Sequence, residues 1–469
     1  MATFPCKLVP IFLAACLGAQ AQPKSKYPVD WQKTGREAIE HITQLIRIDT
    51  SSPPGNETKA AEYLKKVLER EGISTALFAL QPERANLVAR IKGNGSKRPL
   101  LVMGHTDVVG VQKDKWKFDP FSATRQGGYI YGRGAVDDKD NLTAGLMLML
   151  LLKRLDVKLD RDVILLAEAG EEGTTSAGID FMVDKHWSEI DAEYALAEGA
   201  STVSRNGKVV YVGISATEKV PRTVHLVAHG RAGHGSQPTQ HNAVIRLANA
   251  VAKVGAWQPP MRLNDVTRTY FERLATISPP EEAYRYSHIT DAAAAPAIEE
   301  YFAKHEAGNY SVLRTSVVPT VIKAGFRYNV IPSEADATLD VRALPDEDMP
   351  KFYAELKRIV ADPNVDVVPP TRRGRPVSKP SRIDSEMFRA LEAAQKRMFP
   401  EAITLPTMST GATDQAQLRA KGVASYGFGP ISDEFGGHGA HSDDERIEEK
   451  SLEKLVEFLW YAVLGVATH

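Results

Sequence analysis

His105, at the end of an apolar run, opens a series of imidazole and carboxylate side chains along this 469-residue chain that continues through Asp107, Asp137, Glu171 and Glu172, and Glu198 to His441. These are ligand types that hold divalent cations such as Zn²⁺, and a carboxylate with two oxygens can bridge a pair of cations about 3.5 to 4 Å apart. The set reads as a two-metal hydrolytic site. Within it, a carboxylate left unligated can move protons.

Each residue has a local context. His105 ends the run Pro99-Leu100-Leu101-Val102-Met103-Gly104, and a strand that stops at a His places the imidazole at the carboxyl edge of a sheet, where open α/β folds bind ligands. Asp107, two residues on, faces the same side and can fix the tautomer of His105. Asp137 and Asp138 follow the turn-rich Gly132-Arg133-Gly134 and precede a helix predicted over Leu142 to Leu152. One Asp there is accounted for as an N-cap; a pair suggests more. Glu171 and Glu172 follow Val163 to Ala167, which has the unbroken apolar character of a buried parallel strand. Taken alone, such a pair also suits a solvated loop. Glu198 ends the apolar run Tyr194 to Ala197.

Taken in order, these motifs resemble the M20 family of zinc metallopeptidases and amidohydrolases, which includes glutamate carboxypeptidase, aminoacylase, succinyl-diaminopimelate desuccinylase and carnosinase-like dipeptidases. The resemblance runs from about Trp31 to about Leu464. It implies that His105 and Glu198 bind one zinc, Glu172 and His441 the other, that Asp137 bridges them, and that Glu171 is the general base. It also implies a cis Asp137-Asp138 peptide. In Gly436 to Glu445 two histidines compete, and the family pattern of His, small residue and acidic pair matches His441, leaving His438 as a loop neighbour. Gly411-Ala412-Thr413-Asp414 resembles the family's glycine-rich turn beside the substrate carboxylate; without the resemblance it is a helix N-terminus capped by Thr413 or Asp414. Glu rather than Asp at position 198 implies a carboxypeptidase or N-acyl amino acid hydrolase, with a dipeptidase as the alternative.

The elements that must position these residues suggest an α/β fold. A mixed, mostly parallel sheet flanked by helices is expected for a catalytic domain made of residues 22–218 and 371–469. An α+β lid or dimerisation domain, 219–370, is expected between the two parts, because Thr223 to Ala228, Ser316 to Lys323 and Ala335 to Val341 alternate like half-buried strands. By resemblance, His234 in the lid stabilises the oxyanion while Asn329 and Arg342 bind substrate; on their own His234 is a turn residue and Arg342 a surface strand charge. The resemblance leaves two routes for His234: donation across a homodimer, or action within one chain. Residues 258–313 form a further insertion expected to hold helices and loops, with no catalytic motif.

Global properties agree with an enzyme of two cores: 43% hydrophobic residues, a formal net charge of -1 and a pI near 6.9 give no sign of a nucleic-acid partner. The chain lacks Gly-x-Ser-x-Gly and Gly-x-Gly-x-x-Gly, which disfavours serine hydrolases and dinucleotide enzymes. A non-catalytic metal-binding or ligand-binding protein on the same scaffold would be marked by loss of the base, and Glu171 is present. Residues 1–21 read as a signal peptide, with Lys7 before Leu8 to Leu17 and small residues at Ala19-Gln20-Ala21. Leu13-Ala14-Ala15-Cys16 offers a competing lipobox, in which Cys16 is lipidated. Either way the expected location is secreted or periplasmic, with no transmembrane segment after the signal. The expected cofactors are two Zn²⁺ or divalent cations of similar preference, and the expected substrate is a small peptide or N-acyl amino acid.

Overall fold

The computed structural model describes residues 26–371, 374–433 and 439–468. Residues 1–21, read above as a signal peptide and including Cys6 and Cys16, and His438 lie outside the described residues. No helix of the described residues is long and apolar enough to cross a membrane.

Two sheets organise the chain. The larger has eight strands in the order Ile403–Ser409, Lys208–Glu218, Ala424–Asp433, Tyr194–Arg205, Leu100–His105, Val163–Glu168, Ala85–Ile91 and Ser74–Ala79. Its four central strands, from Ala424–Asp433 to Val163–Glu168, run parallel. The last two add antiparallel. Leu100–His105 and Val163–Glu168 are buried at every position, as an apolar strand covered on both faces must be. One face is covered by helices Trp31–Arg47, Lys139–Arg154, Glu386–Met398 and Glu449–Ala467, whose apolar stripes merge into the main core. The opposite face carries Ile179–Lys185 and Gln415–Ala420. The helix predicted over Leu142 to Leu152 begins earlier, at Lys139, and is buried without interruption from Lys139 to Leu152.

The smaller sheet is antiparallel, in the order Ser316–Ala324, Glu334–Ala343, Val220–His229 and Val365–Val368. Along Glu334–Ala343 buried and half-buried residues alternate, the pattern of a sheet with one face against a core. Helices Ala243–Ala256 and Met349–Val360 supply that core. Only Lys219 separates strand Lys208–Glu218 of the large sheet from strand Val220–His229 of the small one. The small sheet is thus a direct outgrowth of the large one.

The insertion folds as helices Asp265–Ala275, Pro280–Ser287, Ala295–His305 and Ala307–Val312. Phe271, Tyr286, Phe302 and Leu313 pack with Met408 from the edge strand of the large sheet. Arg273 also reaches Glu392 at 2.7 Å and the Thr404 carbonyl at 2.9 Å. The insertion therefore packs on the edge of the large sheet, although it lies between strands of the small sheet in sequence.

Candidate metal centre

The parallel strands bring the scattered acids to one edge. His105 pairs in register with Glu168, so the turn carrying Glu171 and Glu172 emerges beside it; Glu198 emerges from the neighbouring strand. His105, Asp137 and Glu198 each offer a ligand atom within 4.8 Å of the others, and so do Asp137, Glu172 and His441. Asp137 belongs to both groups. Its Oδ1 lies 3.0 Å from His105 Nε2 and its Oδ2 lies 3.0 Å from His441 Nε2, while His441 Nε2 is 2.8 Å from Glu172 Oε1. One carboxylate presenting a different oxygen to each imidazole is the donor arrangement of a bridging ligand. The residues fit two cations of zinc-like preference.

The electrostatics agree. Burial pushes the Glu198 carboxyl well above the usual range, and the nearby Glu171 adds to the effect. Burial, then repulsion from Asp414, raises Glu171 to about 8. The imidazoles shift the same way: hydrogen bonds to Asp137 and Glu172 raise His441 to about 10. Burial alone would lower His105, but its bonds to Asp107 and Asp137 outweigh that and raise it well above normal. A pocket with this many buried acids takes up positive charge, as protons or as metal ions.

Neighbouring groups fix the geometry. The Asp137-Asp138 peptide is cis. Asp138 stands at the helix N-cap position, yet its carboxylate makes no capping bond; it accepts from the His105 backbone N–H at 3.2 Å and from Asn141 Nδ2 at 2.7 Å. Gly104 is required here, since a Cβ would sit 2.9 Å from Asp138 Oδ2 and 3.1 Å from the Leu142 nitrogen. Asp107 was expected to fix the tautomer of His105. The structure places its backbone carbonyl on His105 Nδ1 at 2.9 Å, with the carboxylate at 3.6 Å. The two carboxylate oxygens also accept from the backbone N–H groups of Glu171 and Glu172, each at 3.1 Å, and so hold the turn that carries both acids.

Two residues went unnoticed in the sequence. Glu445 is buried against Arg133 at 2.6 Å and accepts from the Val136 N–H at 3.0 Å, tying the segment before Asp137 to the one after His441. Arg375 comes from the connection that leads out of the lid. Its guanidinium donates to Glu171 Oε1 and to Asp414 Oδ1, while Arg222 near the other lid connection donates to the Arg375 carbonyl at 3.1 Å. Arg375 has no periodic or motif signal, because its partners are distant in sequence.

The remaining candidates divide between the two ends of the lid. Arg342 lies opposite Pro221 at the base, near the turn holding Gly411, because the Lys219 N–H donates to the Ser409 carbonyl at 2.9 Å. It is paired with Asp340 on its own strand, at 2.8 Å. Gly411 itself is exposed, with its N–H on Ser409 Oγ at 3.1 Å. Its turn is anchored through Thr413 to Glu218 at 2.7 Å, and Gln415 Nε2 donates to the Glu198 carbonyl at 2.8 Å. In place of a side-chain bond from Asp414, Thr413 Oγ1 accepts from the Gln415 N–H at 3.2 Å. His234 and Asn329 meet at the far tip, where strand Gly233–His234 pairs with Val330–Ile331 and the Gly235 N–H donates to the Asn329 carbonyl at 2.8 Å. Ser236 N–H donates to His234 Nδ1 at 3.1 Å, which in the neutral ring leaves the proton on exposed Nε2.

Comparison with known proteins places the fold and the family. The human N-fatty-acyl-amino acid synthase/hydrolase PM20D1 is 27% identical, over 95% of this chain and 91% of its own length. The M20 family metallo-carboxypeptidase Sso-CP2 of Sulfolobus solfataricus has the same fold, with a TM-score of 0.69 at 22% identity over 91% of this chain and 98% of its own. So does the Bacillus subtilis YXEP protein, described as a dinuclear metal-binding peptidase, with a TM-score of 0.60 at 13% identity over 92% and 98%. Residues 101–464 match the profile described as Peptidase family M20/M25/M40 and include every ligand of the two overlapping groups, so the chain is a member of that family.

Proposed function

We propose that the chain hydrolyses an amide bond next to a free carboxylate, as a carboxypeptidase or N-acyl amino acid hydrolase. His105 and Glu198 would hold one zinc and Glu172 and His441 the other, with Asp137 shared by both sets; other divalent cations of similar preference also suit these donors. Bound there, the metals supply Lewis acidity toward the carbonyl oxygen and acidify the attacking water. The side chains do the rest. Glu171 takes the proton from that water and hands it to the departing amine nitrogen. Arg342 holds the free carboxylate, with a planar fork that matches it bidentately, and the Gly411 turn lies alongside.

The observation that carries this reading is Glu171: a buried carboxylate left over when the two groups sharing Asp137 are filled, beside both His105 and Glu172. The rival reading, a binding protein without activity, has no use for it. A dipeptidase is the alternative within the family, less favoured because position 198 is Glu.

His234 meets the developing oxyanion through Nε2, with Asn329 beside it, and comes from the second copy of a homodimer. The ten-residue strand Val220–His229 spans about 30 Å, and His234 lies beyond its far end, away from its own chain's metals. The outer lid strand and tip expose Val318, Ile322, Phe326 and Tyr328, an apolar surface suited to such a contact. Export as a secreted or periplasmic protein follows from residues 1–21, with lipid attachment at Cys16 as the other route.

The test compares an N-acyl amino acid with its C-terminal amide. Amidation should lower kcat/KM by roughly 10²-fold or more, since it removes the charge that Arg342 pairs with. Equal turnover of acid and amide would overturn the carboxylate requirement.

A further inference from the structure

Between the insertion and the edge of the large sheet lies a cavity of about 460 Å³, within the roughly 300 to 1,000 Å³ of sites that take small organic groups. Gly199, Ser201 and Val203 alternate along one strand of the sheet and Tyr211, Gly213 and Ser215 along its neighbour, so each set shares the face that lines the cavity. Thr267, Tyr270 and Asn309 of the insertion close the other side. One end is formed by Thr407, Ser409 and Thr410, and the chain then runs directly into Gly411.

Hydroxyl and amide groups line every wall, and among the described residues no charged side chain does. Part of this polar lining is already paired: Tyr270 Oη donates to Asn309 Oδ1 at 3.3 Å, Ser215 Oγ donates to the Thr217 carbonyl at 3.0 Å, and Ser409 Oγ accepts from the Gly411 N–H at 3.1 Å. The hydroxyls of Ser201, Thr407, Thr410 and Ser432 have no hydrogen-bond partner among the described residues. An apolar group filling the cavity would strip them of water and leave them unpaired. A charged group would lose its own hydration without gaining an opposite charge. The lining therefore matches a neutral group that donates and accepts hydrogen bonds.

The position says which part of a substrate that group is. In the reading above the Gly411 turn lies alongside the free carboxylate, and the carbon that bears this carboxylate also bears the side chain of the released residue. We infer that the cavity is the subsite for that side chain and selects uncharged, hydrogen-bonding side chains, with Ser201 and Thr407 as specificity-determining hydroxyls. The inference rests on the amide-hydrolase reading.

Asparagine, aspartate and leucine have side chains of similar shape that differ in charge and hydrogen bonding, so their N-acetyl derivatives probe this lining. The kcat/KM of N-acetyl-asparagine should exceed that of N-acetyl-leucine by roughly 10-fold, and that of N-acetyl-aspartate by at least about as much. Thr407→Val and Ser201→Ala each remove one hydroxyl and keep the packing, so each should lower the asparagine-to-leucine ratio roughly 3- to 10-fold. Calorimetric binding of the three free amino acids to the metal-loaded protein reads the same preference without turnover. Asparagine bound or turned over no better than leucine, or a ratio unmoved in both variants, would overturn the inference. Asparagine binding that Thr407→Val weakens, with none of the three derivatives hydrolysed, would instead sink the hydrolase reading and leave the subsite standing.

Discussion

Glu171 and Glu172 are neighbours with different surroundings, and their variants should separate chemistry from metal binding. Glu171 is buried beside Arg375, whereas Glu172 contacts His441. Glu171→Gln keeps the shape and removes the base; it should retain both metals and lose roughly 10²-fold or more in kcat. Glu172→Gln should instead show reduced metal content by elemental analysis. Full activity of Glu171→Gln would mean the roles are wrongly assigned. Arg375 invites a second measurement. Its guanidinium opposes the burial that raises Glu171 and fixes which oxygen faces inward. Arg375→Ala should lower kcat about 10-fold or more with little change in KM or bound metal, and Arg375→Lys should recover part of the loss. A variant that lost metal as well would show that Arg375 holds the whole turn rather than the base alone.

At the scale of elements, Lys219 joins three of them. It is fully buried where the large sheet passes into the lid, and its ammonium donates to the Ser311 carbonyl at 2.9 Å and to Ser316 Oγ at 2.9 Å, linking the insertion to the outer lid strand. Burial, then repulsion from Arg342 and Arg314, lowers it to about 7. An unfolded lysine titrates near 10.4. Between about pH 7 and 10 the unfolded chain then binds more protons than the folded one, so stability rises with pH across this window. Below pH 7 the cost of the buried charge is present in full. Lys219→Met removes the titrating group, so the melting temperature of the variant relative to the parent should be higher at pH 6 than at pH 9. Parallel curves for the two proteins would show that Lys219 is not the titrating group.

For the whole molecule, the decisive fact is the distance between the two ends of the lid. His234 and Asn329 stand at its tip, the candidate metal ligands stand beyond its base, and an antiparallel sheet separates them. In a dimer each site would be completed by the other copy. His234→Ala should lower kcat and leave both metals bound. Mixing His234→Ala with Glu171→Gln under conditions of subunit exchange should restore activity, approaching one intact site per mixed dimer. Demonstrated heterodimers without recovery would place His234 in its own chain's site, or in none.

The sequence by itself carried the local chemistry and the strand and helix periods. Unbroken apolar runs marked Leu100–His105 and Val163–Glu168 because a strand buried on both faces is mostly apolar, and alternation marked Val220–His229 and Glu334–Ala343 because one face is solvated. Ser316–Ala324, expected to be half-buried, has no buried residue because it is the edge strand. Acids at the ends of those runs stood out for the same reason. What the sequence could not carry were relations between distant segments. Glu445 against Arg133, Arg375 against Glu171, and the packing of the insertion onto Met408 each join residues more than ninety positions apart, and none follows a local period. The role of Asp107 was also decided in three dimensions: its oxygens face the Glu171 and Glu172 N–H groups only because two parallel strands set those turns side by side. Residue type and period are local properties of a chain. Which carboxylate meets which donor is fixed only when sheet order and register bring them together.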